Sequence, residues 1–138
     1  MPKTYNSIWV HILFSTKYRV PYLTWNIRGE ICTWIKNNGN AKSINIDVVY
    51  GVDDHLHVLV KLKPTQRISD IVNWKKGASS HWLNTKYTWE NKFAWQEGYG
   101  VFSVSQNDIN HVREYIYTQE FHHKTKSFIT EIKELVKD

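Results

Sequence analysis

Two histidines separated by one residue stand in the stretch DDHLHVLVKL, residues 53–62. Successive side chains of a β-strand alternate between its two faces, so His55 and His57 would point to the same face. Two imidazole nitrogens on one face provide half of the ligands of a typical metal site. A polar strand face with two hydrogen-bonded surface histidines would give the same pattern, so the motif alone leaves both interpretations open.

A second candidate group lies in REYIYTQEFHH, residues 113–123. In a helix, Tyr115 and Gln119 are four residues apart and lie on one face. Tyr117 is about 200° around the helix axis from Tyr115, so it should point toward the core or the solvent. A tyrosine hydroxyl can act as a nucleophile, and an amide oxygen is a ligand for a hard cation. An ordinary surface helix would also show this spacing by chance.

The elements that position these residues follow from the period of the apolar side chains. We predict strands over 7–19, 42–52, 54–63 and 93–105, and helices over 26–40, 67–83 and from Asn107 onward. The order β-α-β-β-α-β-α is that of a ferredoxin-like (RRM-like) split βαβ sandwich, an α+β fold. Its antiparallel sheet carries helices on one face, followed here by a C-terminal helix. The strand with His55 and His57 is then central, and we expect its other face to be open.

The length of 138 residues predicts a single domain, 1–138. The one cysteine, Cys32, has no partner for a disulfide within the chain, and the first residues lack the pattern of a secretory leader. We therefore expect a cytoplasmic protein. No window approaches the roughly 18 consecutive apolar residues of a membrane span, so we expect no association with a membrane.

The charge balance favours a polyanionic partner. There are 18 Lys and Arg residues against 13 Asp and Glu, a net charge of +5, together with seven tryptophans and eight tyrosines. Many of these rings lie among cations in residues 73–95, a mixture suited to base stacking and phosphate neutralisation on a single strand. Any one ring is more often part of a core, and a basic helix residue is often merely solvated. The candidate DNA contacts are Lys17, Arg19, Lys75, Lys76 and Trp82.

Five blocks occur in an order that resembles one protein family: HILFSTKYR, DDHLHVLVKL, WKKGASSHWLN, WQEGYGVFSVS and YIYTQEFHHKTKSF. Together they are similar to the single-tyrosine HUH transposases of bacterial and archaeal insertion sequences, which are related to the REP-associated tyrosine transposases. The resemblance covers nearly the whole chain. It implies that His55, His57 and Gln119 hold a divalent metal and that Tyr115 is the nucleophile. Nitrogen and amide-oxygen ligands with open positions are compatible with Mg²⁺ or Mn²⁺.

The same resemblance implies a prokaryotic enzyme that cleaves and rejoins single-stranded DNA through a 5′-phosphotyrosine. It also implies recognition of DNA hairpins near the ends of the element, and a homodimer whose active sites could be assembled in trans. A covalent bond to tyrosine retains the energy of the phosphodiester, and no nucleotide-binding motif is present, so we expect no nucleotide cofactor. The first strand, with Trp9, His11 and Leu13 on one side, could lie at a sheet edge and pair with its symmetry mate.

Three other interpretations stay open at this point. The chain could be a non-catalytic module that binds single-stranded nucleic acid, or a metal-dependent phosphodiesterase that uses water as the nucleophile. It could also be a domesticated relative that acts on chromosomal repeats with the same chemistry. Asp53 and Asp54 could be partners of the histidines or, as their position suggests, ordinary turn residues.

Overall fold

The computed structural model describes residues 5–118 and has the predicted order of elements. The strands and helices are β1 (Ile8–Ser15), α1 (Trp25–Ala41), β2 (Asn45–Gly51), β3 (His55–Leu62), α2 (Ile68–Lys86), β4 (Gly100–Val104) and α3 (Ile109–Tyr117). Short 3-10 turns over Lys17–Arg19 and Gln106–Asp108 follow β1 and precede α3. The predicted fourth strand, 93–105, is longer than the observed β4. Upstream of Gly100, the described chain makes only one isolated β-bridge, between Trp95 and Thr16.

The four strands form one antiparallel sheet in the order β2-β3-β1-β4. This is the order of the ferredoxin-like fold that the sequence predicted. The expectation that β1 lies at an edge is wrong, because β3 pairs with one side of β1 and β4 returns to pair with the other. The edges are β2 and β4, and His55 and His57 lie on a central strand, as predicted.

Side chains of β1 alternate between the two faces of the sheet, as the sequence predicted, and each face is covered by its own core. Val10, Ile12 and Phe14 are buried in the larger core, under α1 and α2. The two helices contribute apolar side chains at helical spacing: Ile31 and Ile35 from α1, and Ile71, Val72 and Leu83 from α2. Neither these helices nor any other in residues 5–118 is both long and apolar enough to cross a bilayer.

The opposite face of the sheet is covered by α3. Ile109 and Ile116 of this helix pack against Val48, Leu59 and Val104 of the sheet, which forms a second, smaller core. We expected this face to be open at the histidines, and that expectation is wrong: both His55 and His57 are 0% exposed. The physical reason is that an open face would leave the apolar side chains of β2, β3 and β4 in water, and the apolar side of α3 removes them from it.

Candidate active site

Three buried histidines meet on the face of the sheet that α3 covers. His55 and His57 come from β3, with their ring centroids 5.2 Å apart. His11 comes from the neighbouring strand β1, and its Nε2 atom lies 2.8 Å from Nδ1 of His57. The rings of this second pair are 5.0 Å apart. Two adjacent central strands therefore hold all three imidazoles in fixed relative positions.

A carboxylate orients the first histidine of the motif. Oδ1 of Asp54 lies 2.7 Å from Nδ1 of His55, and its other oxygen, Oδ2, lies 3.6 Å from Nε of Arg19. Asp54 occupies the turn between β2 and β3 and is itself buried. Of the two interpretations of this residue, the structure thus confirms a partner of the histidine. The main-chain oxygen of Asp53 accepts a hydrogen bond from the Leu23 N–H at 2.9 Å, which ties the same turn to the segment before α1.

The ring of Tyr115 lies beside these histidines. Its centroid is 5.8 Å from that of His57 and 6.2 Å from that of His11, in edge-to-face orientations of 77° and 72°. Tyr115 is half-buried, whereas Tyr117 is 61% exposed. The prediction that the two tyrosines point in different directions around α3 is therefore confirmed.

The position of Tyr115 depends on how α3 is attached to the sheet. Besides the apolar contacts of Ile109 and Ile116, Nε of Arg113 donates a hydrogen bond to Oδ2 of Asp47 on β2. The guanidinium also lies 5.8 Å from the centroid of the Trp9 ring, within the range of a cation–π contact. Hydrogen bonding to Asp47 raises the pKa of Arg113 further. An apolar seam and one charged contact thus fix the helix over the histidines.

The histidine pair fits two ligands of a divalent metal. In both rings the Nδ1 atom faces a partner, Asp54 or His11, and the Nε2 atom is the buried second nitrogen. If the proton of each ring is on Nδ1 and is donated to these partners, Nε2 carries a lone pair. Metal-binding histidines are commonly held in this tautomer by a hydrogen bond from the other ring nitrogen. Within residues 5–118 no group of three His, Cys, Asp or Glu side chains is placed to hold a metal. A complete site would therefore need a ligand of another kind or one from outside this range, and Gln119 lies outside the described residues.

The candidate DNA contacts lie in different settings. Lys17 and Arg19 are both exposed, and Arg19 lies beside Asp54. The ammonium group of Lys76 donates hydrogen bonds to the main-chain oxygens of Gln96 and Gly98, so it holds the loop before β4. Trp82 is only partly buried and stacks on Trp34 at 5.5 Å, with Nζ of Lys86 at 5.1 Å from its ring centroid. The structure does not bring these four candidates together into one patch. Lys17 and Arg19 share one turn, and Arg19 contacts Asp54, the partner of His55.

Lys75 does not lie on the surface that the sequence analysis assigned to it. It is 1% exposed, and its Nζ atom makes no hydrogen bond to any described residue. The cause is its spacing: Lys75 follows Ile71 by four residues and precedes Ser79 by four, so it shares their core-facing side of α2. Burial lowers the pKa of Lys75 to about 7. A side chain in this position cannot contact a phosphate, and the expectation of a phosphate contact at Lys75 is wrong for this structure.

Sequence reasoning missed His11 as a member of the site. The available signal was its place on the same face of β1 as Trp9 and Leu13, in a strand that a ferredoxin-like order places next to β3. That signal was overlooked because β1 was assigned to a sheet edge, where His11 would lie far from His57. The role of Arg19 beside Asp54 was also missed, since the contact depends on a turn whose shape the sequence does not indicate.

Comparison with known proteins gives one family. A family model described as "Transposase IS200 like" matches residues 4–119 of the chain. Among curated proteins, the transposase for insertion sequence element IS200 of Salmonella typhimurium (strain LT2) is 27% identical over 111 residues, which cover 77% of this chain and 72% of the relative.

Two solved structures share the fold. The crystal structure of a Deinococcus radiodurans protein superposes with a TM-score of 0.68 at 22% identity, covering 86% of this chain and 98% of the other. A REP-associated tyrosine transposase bound to a REP hairpin superposes with a TM-score of 0.59 at 16% identity, covering 89% of this chain and 74% of the other. At these identities the likeness concerns the architecture of sheet and helices, which is the one described above.

Proposed function

The chain belongs to the IS200-like transposases, and from this premise we propose that it cleaves and rejoins single-stranded DNA through a covalent bond to Tyr115. Membership of the family makes it a DNA transposase. The proposal adds the nucleophile, the metal ligands and the form of the DNA. Its main support is the placement of the Tyr115 ring 5.8 Å from that of His57, beside a pair of oriented imidazoles.

The proposed reaction is a transesterification. The hydroxyl oxygen of Tyr115 attacks the scissile phosphorus, a new O–P bond forms, and the bond from phosphorus to the 3′ oxygen breaks. The tyrosine proton is given up and the leaving 3′ oxygen takes up a proton, so the products are a 5′-phosphotyrosine and a free 3′-hydroxyl. Attack by another 3′-hydroxyl reverses the step and joins DNA without an external source of energy.

A phenol with an ordinary pKa near 10 is a weak nucleophile at neutral pH, so the site must assist the attack. We propose that His55 and His57 hold Mg²⁺ or Mn²⁺ through Nε2, with Gln119 as the third protein ligand. When bound, such a cation polarises the scissile phosphate and stabilises charge on the leaving oxygen. Asp54 and His11 would orient the two imidazoles, and the cover of α3 would keep bulk water away from the phosphorus.

The substrate proposed is DNA with hairpin ends. The solved relative with the same fold is bound to a REP hairpin, and the net charge of +5 suits a polyanion. Lys17 and Arg19 lie in the 3-10 turn after β1, and Arg19 contacts Asp54, so the two cations are placed to neutralise backbone phosphates near the reacting group. Whether the hairpins belong to a mobile element or to dispersed chromosomal repeats does not change the chemistry.

We further propose that the enzyme works as a homodimer. Excision has to cut two ends and rejoin them, and one nucleophile per chain can hold only one 5′ end at a time. Two tyrosines must therefore be held together, and a two-fold pair is the simplest arrangement that does so. In the structure Tyr115 lies beside His57 of its own chain, an arrangement in which each subunit would carry one complete pair.

The test is incubation with single-stranded hairpin oligonucleotides taken from both ends of the encoding element, in the presence of Mn²⁺ or Mg²⁺. We expect a covalent protein–DNA band that survives denaturation, with the DNA mapped by mass spectrometry to the peptide that contains Tyr115. Tyr115→Phe should form no adduct, and the matched variant Tyr117→Phe should form it at the normal rate. If Tyr115→Phe still cleaves DNA and no covalent adduct forms, the protein is a phosphodiesterase that uses water as the nucleophile. Tight binding without cleavage would indicate a binding module.

A further inference from the structure

The turn that follows β1 has an unfavourable backbone conformation. Tyr18 has φ 57° and ψ 15°, and Arg19 has φ 56°. Residues with a Cβ atom rarely adopt positive φ, and two in succession are rarer still. Such a conformation persists only where the surrounding structure imposes it, and it often accompanies a functional site.

The surroundings of this turn impose its shape from both sides. The Thr16 N–H donates to the main-chain oxygen of Asp54 at 2.9 Å, and its hydroxyl donates to that of Val20 at 2.7 Å. On the other side, the Lys17 N–H donates to the main-chain oxygen of Ala94 at 2.9 Å, and the Tyr18 N–H donates to Oε1 of Gln96 at 3.2 Å. The turn is thus tied both to the start of the histidine strand and to the segment before β4.

The result is an aromatic ring held in solvent at the edge of the active site. Tyr18 is 82% exposed although its backbone is fixed. Its neighbour Arg19 contacts Asp54, which in turn contacts His55. Nζ of Lys17 lies 5.5 Å from the centroid of the Tyr18 ring, so a cation accompanies the ring. Other aromatic side chains of the chain, such as Phe14, Phe93 and Trp95, are buried in the larger core, whereas the Tyr18 ring stays in solvent.

We propose that Tyr18 is a stacking platform for an unpaired base that flanks the scissile phosphate, with Lys17 beside it to neutralise the adjoining phosphate. This inference rests on the proposed function and adds a residue that positions the substrate. An exposed ring on a rigid backbone with an adjacent cation is the combination that binds single-stranded DNA, because every base offers a face for stacking. The contacts of the turn with Asp54 and Thr16 place the ring at the end of the sheet where His55 begins its strand.

The chain offers a matched control for this proposal. Tyr5 is 90% exposed and precedes β1, whereas Tyr18 follows it, so the two rings lie at opposite ends of the strand. Both are exposed tyrosines in a basic protein, and only Tyr18 is connected to the histidine site. An effect of Tyr18 on DNA that Tyr5 does not share cannot come from general loss of aromatic surface.

The experiment measures binding of a hairpin oligonucleotide whose single-stranded flank carries 2-aminopurine, a base that loses fluorescence when it stacks. It is done without divalent metal, so that no cleavage occurs. Wild type and Tyr18→Trp should quench the probe, whereas Tyr18→Gly and Tyr18→Ala should lose the quenching and about tenfold in affinity. Tyr5→Ala should behave as wild type.

The variants Tyr18→Gly and Tyr18→Ala distinguish the effect of losing the ring from the effect of backbone strain. Glycine adopts a positive φ without strain, whereas alanine does so only at an energetic cost, so Tyr18→Gly should unfold at a higher temperature than Tyr18→Ala while both bind DNA equally weakly. Quenching and affinity unchanged in Tyr18→Gly would overturn this inference, and so would a failure of wild type to bind the probe. A normal effect of Tyr18 on binding together with no covalent adduct in the presence of metal would count against the proposed function alone.

Discussion

Nε2 of His11 lies 2.8 Å from Nδ1 of His57, and this contact joins two central strands at the point where the proposed metal would bind. One of the two nitrogens must donate and the other accept. If His57 binds a metal through Nε2, its proton is on Nδ1, and His11 has to be the acceptor. His11 would then control both the tautomer and the ring orientation of a ligand without touching the metal.

The first prediction concerns this control. His11→Phe keeps the ring volume and removes the acceptor, so we expect metal affinity to fall about 10- to 100-fold, as for the loss of other outer partners of metal-binding histidines. The measurement is calorimetric titration with Mn²⁺, together with the Mn²⁺ concentration that gives half-maximal cleavage. His11→Gln, whose amide oxygen can accept the same hydrogen bond, should recover much of the loss. Unchanged Mn²⁺ affinity in His11→Phe would show that the contact is only structural.

The second prediction separates chemistry from affinity. His55→Ala and His57→Ala should each abolish cleavage and leave hairpin binding largely intact, because the histidines serve the reaction and contacts to phosphates supply most of the affinity. Cleavage is followed on denaturing gels and binding by fluorescence anisotropy, with thermal unfolding to verify that the variants fold. His81→Ala, which removes an exposed histidine of α2, is the control. Undiminished cleavage by either variant would refute the site.

The third prediction follows from the buried lysine. The pKa of Lys75 is about 7 in the folded chain against 10.5 for an ordinary lysine, so between these pH values the unfolded chain binds more protons than the folded one. The stability of the wild type should therefore rise with pH across this window, by at most about 1.4 kcal/mol per unit, relative to Lys75→Met. At pH 6 the Met variant should be the more stable of the two.

Urea unfolding between pH 6 and pH 9.5 tests this dependence, with Lys63→Met as the control for removal of an exposed lysine. The difference between wild type and Lys75→Met should shrink steadily above pH 7. A constant difference across the series would mean that Lys75 keeps an ordinary pKa and reaches solvent. Removal of Lys75 should also leave the salt dependence of DNA binding unchanged, in contrast to removal of Lys17.

The fourth prediction concerns how two chains divide the site. His57→Ala and Tyr115→Phe chains are each inactive by the proposed mechanism, and a mixture contains heterodimers. Because Tyr115 lies beside His57 of its own chain, the structure predicts that the mixture stays inactive. Regained cleavage would instead show assembly in trans, the alternative that the family resemblance left open. Sedimentation at micromolar concentration tests the dimer itself, and full strand joining by a monomer would exclude it.

The strands of the site were predictable because their side chains obey a simple period. Alternation placed His55 and His57 on one face of a central strand, and the helical angle between Tyr115 and Tyr117 predicted that the two rings point in different directions. The loop before β4 was not predictable, since its shape depends on the side chain of Lys76 bonding to two main-chain oxygens and on Gly98 with φ 79°. Periodicity also identifies the apolar side of α3 without indicating which face of the sheet receives it.

At Lys75 the sequence did contain the signal for burial, and the prediction was still wrong. Its spacing from Ile71 and Ser79 placed it on the buried stripe, and the residue type argued for the surface, because lysine is rarely buried without a partner. The prediction of a phosphate contact at Lys75 rested on the residue type. Spacing was the better guide at this position, and the same holds for His11, whose place on β1 carried more information than its chemical class.

The placement of α3 also has a consequence for biosynthesis. His11, His55 and His57 are all synthesised before Tyr115, and the helix that carries Tyr115 also supplies the side chains that cover Val48, Leu59 and Val104. A nascent chain that stops before Ile109 would hold the imidazoles without Tyr115, and it would expose an apolar sheet face that favours aggregation. Synthesis of the proposed nucleophile and cover of this sheet face therefore depend on the same helix, so a chain that stops before α3 would lack both.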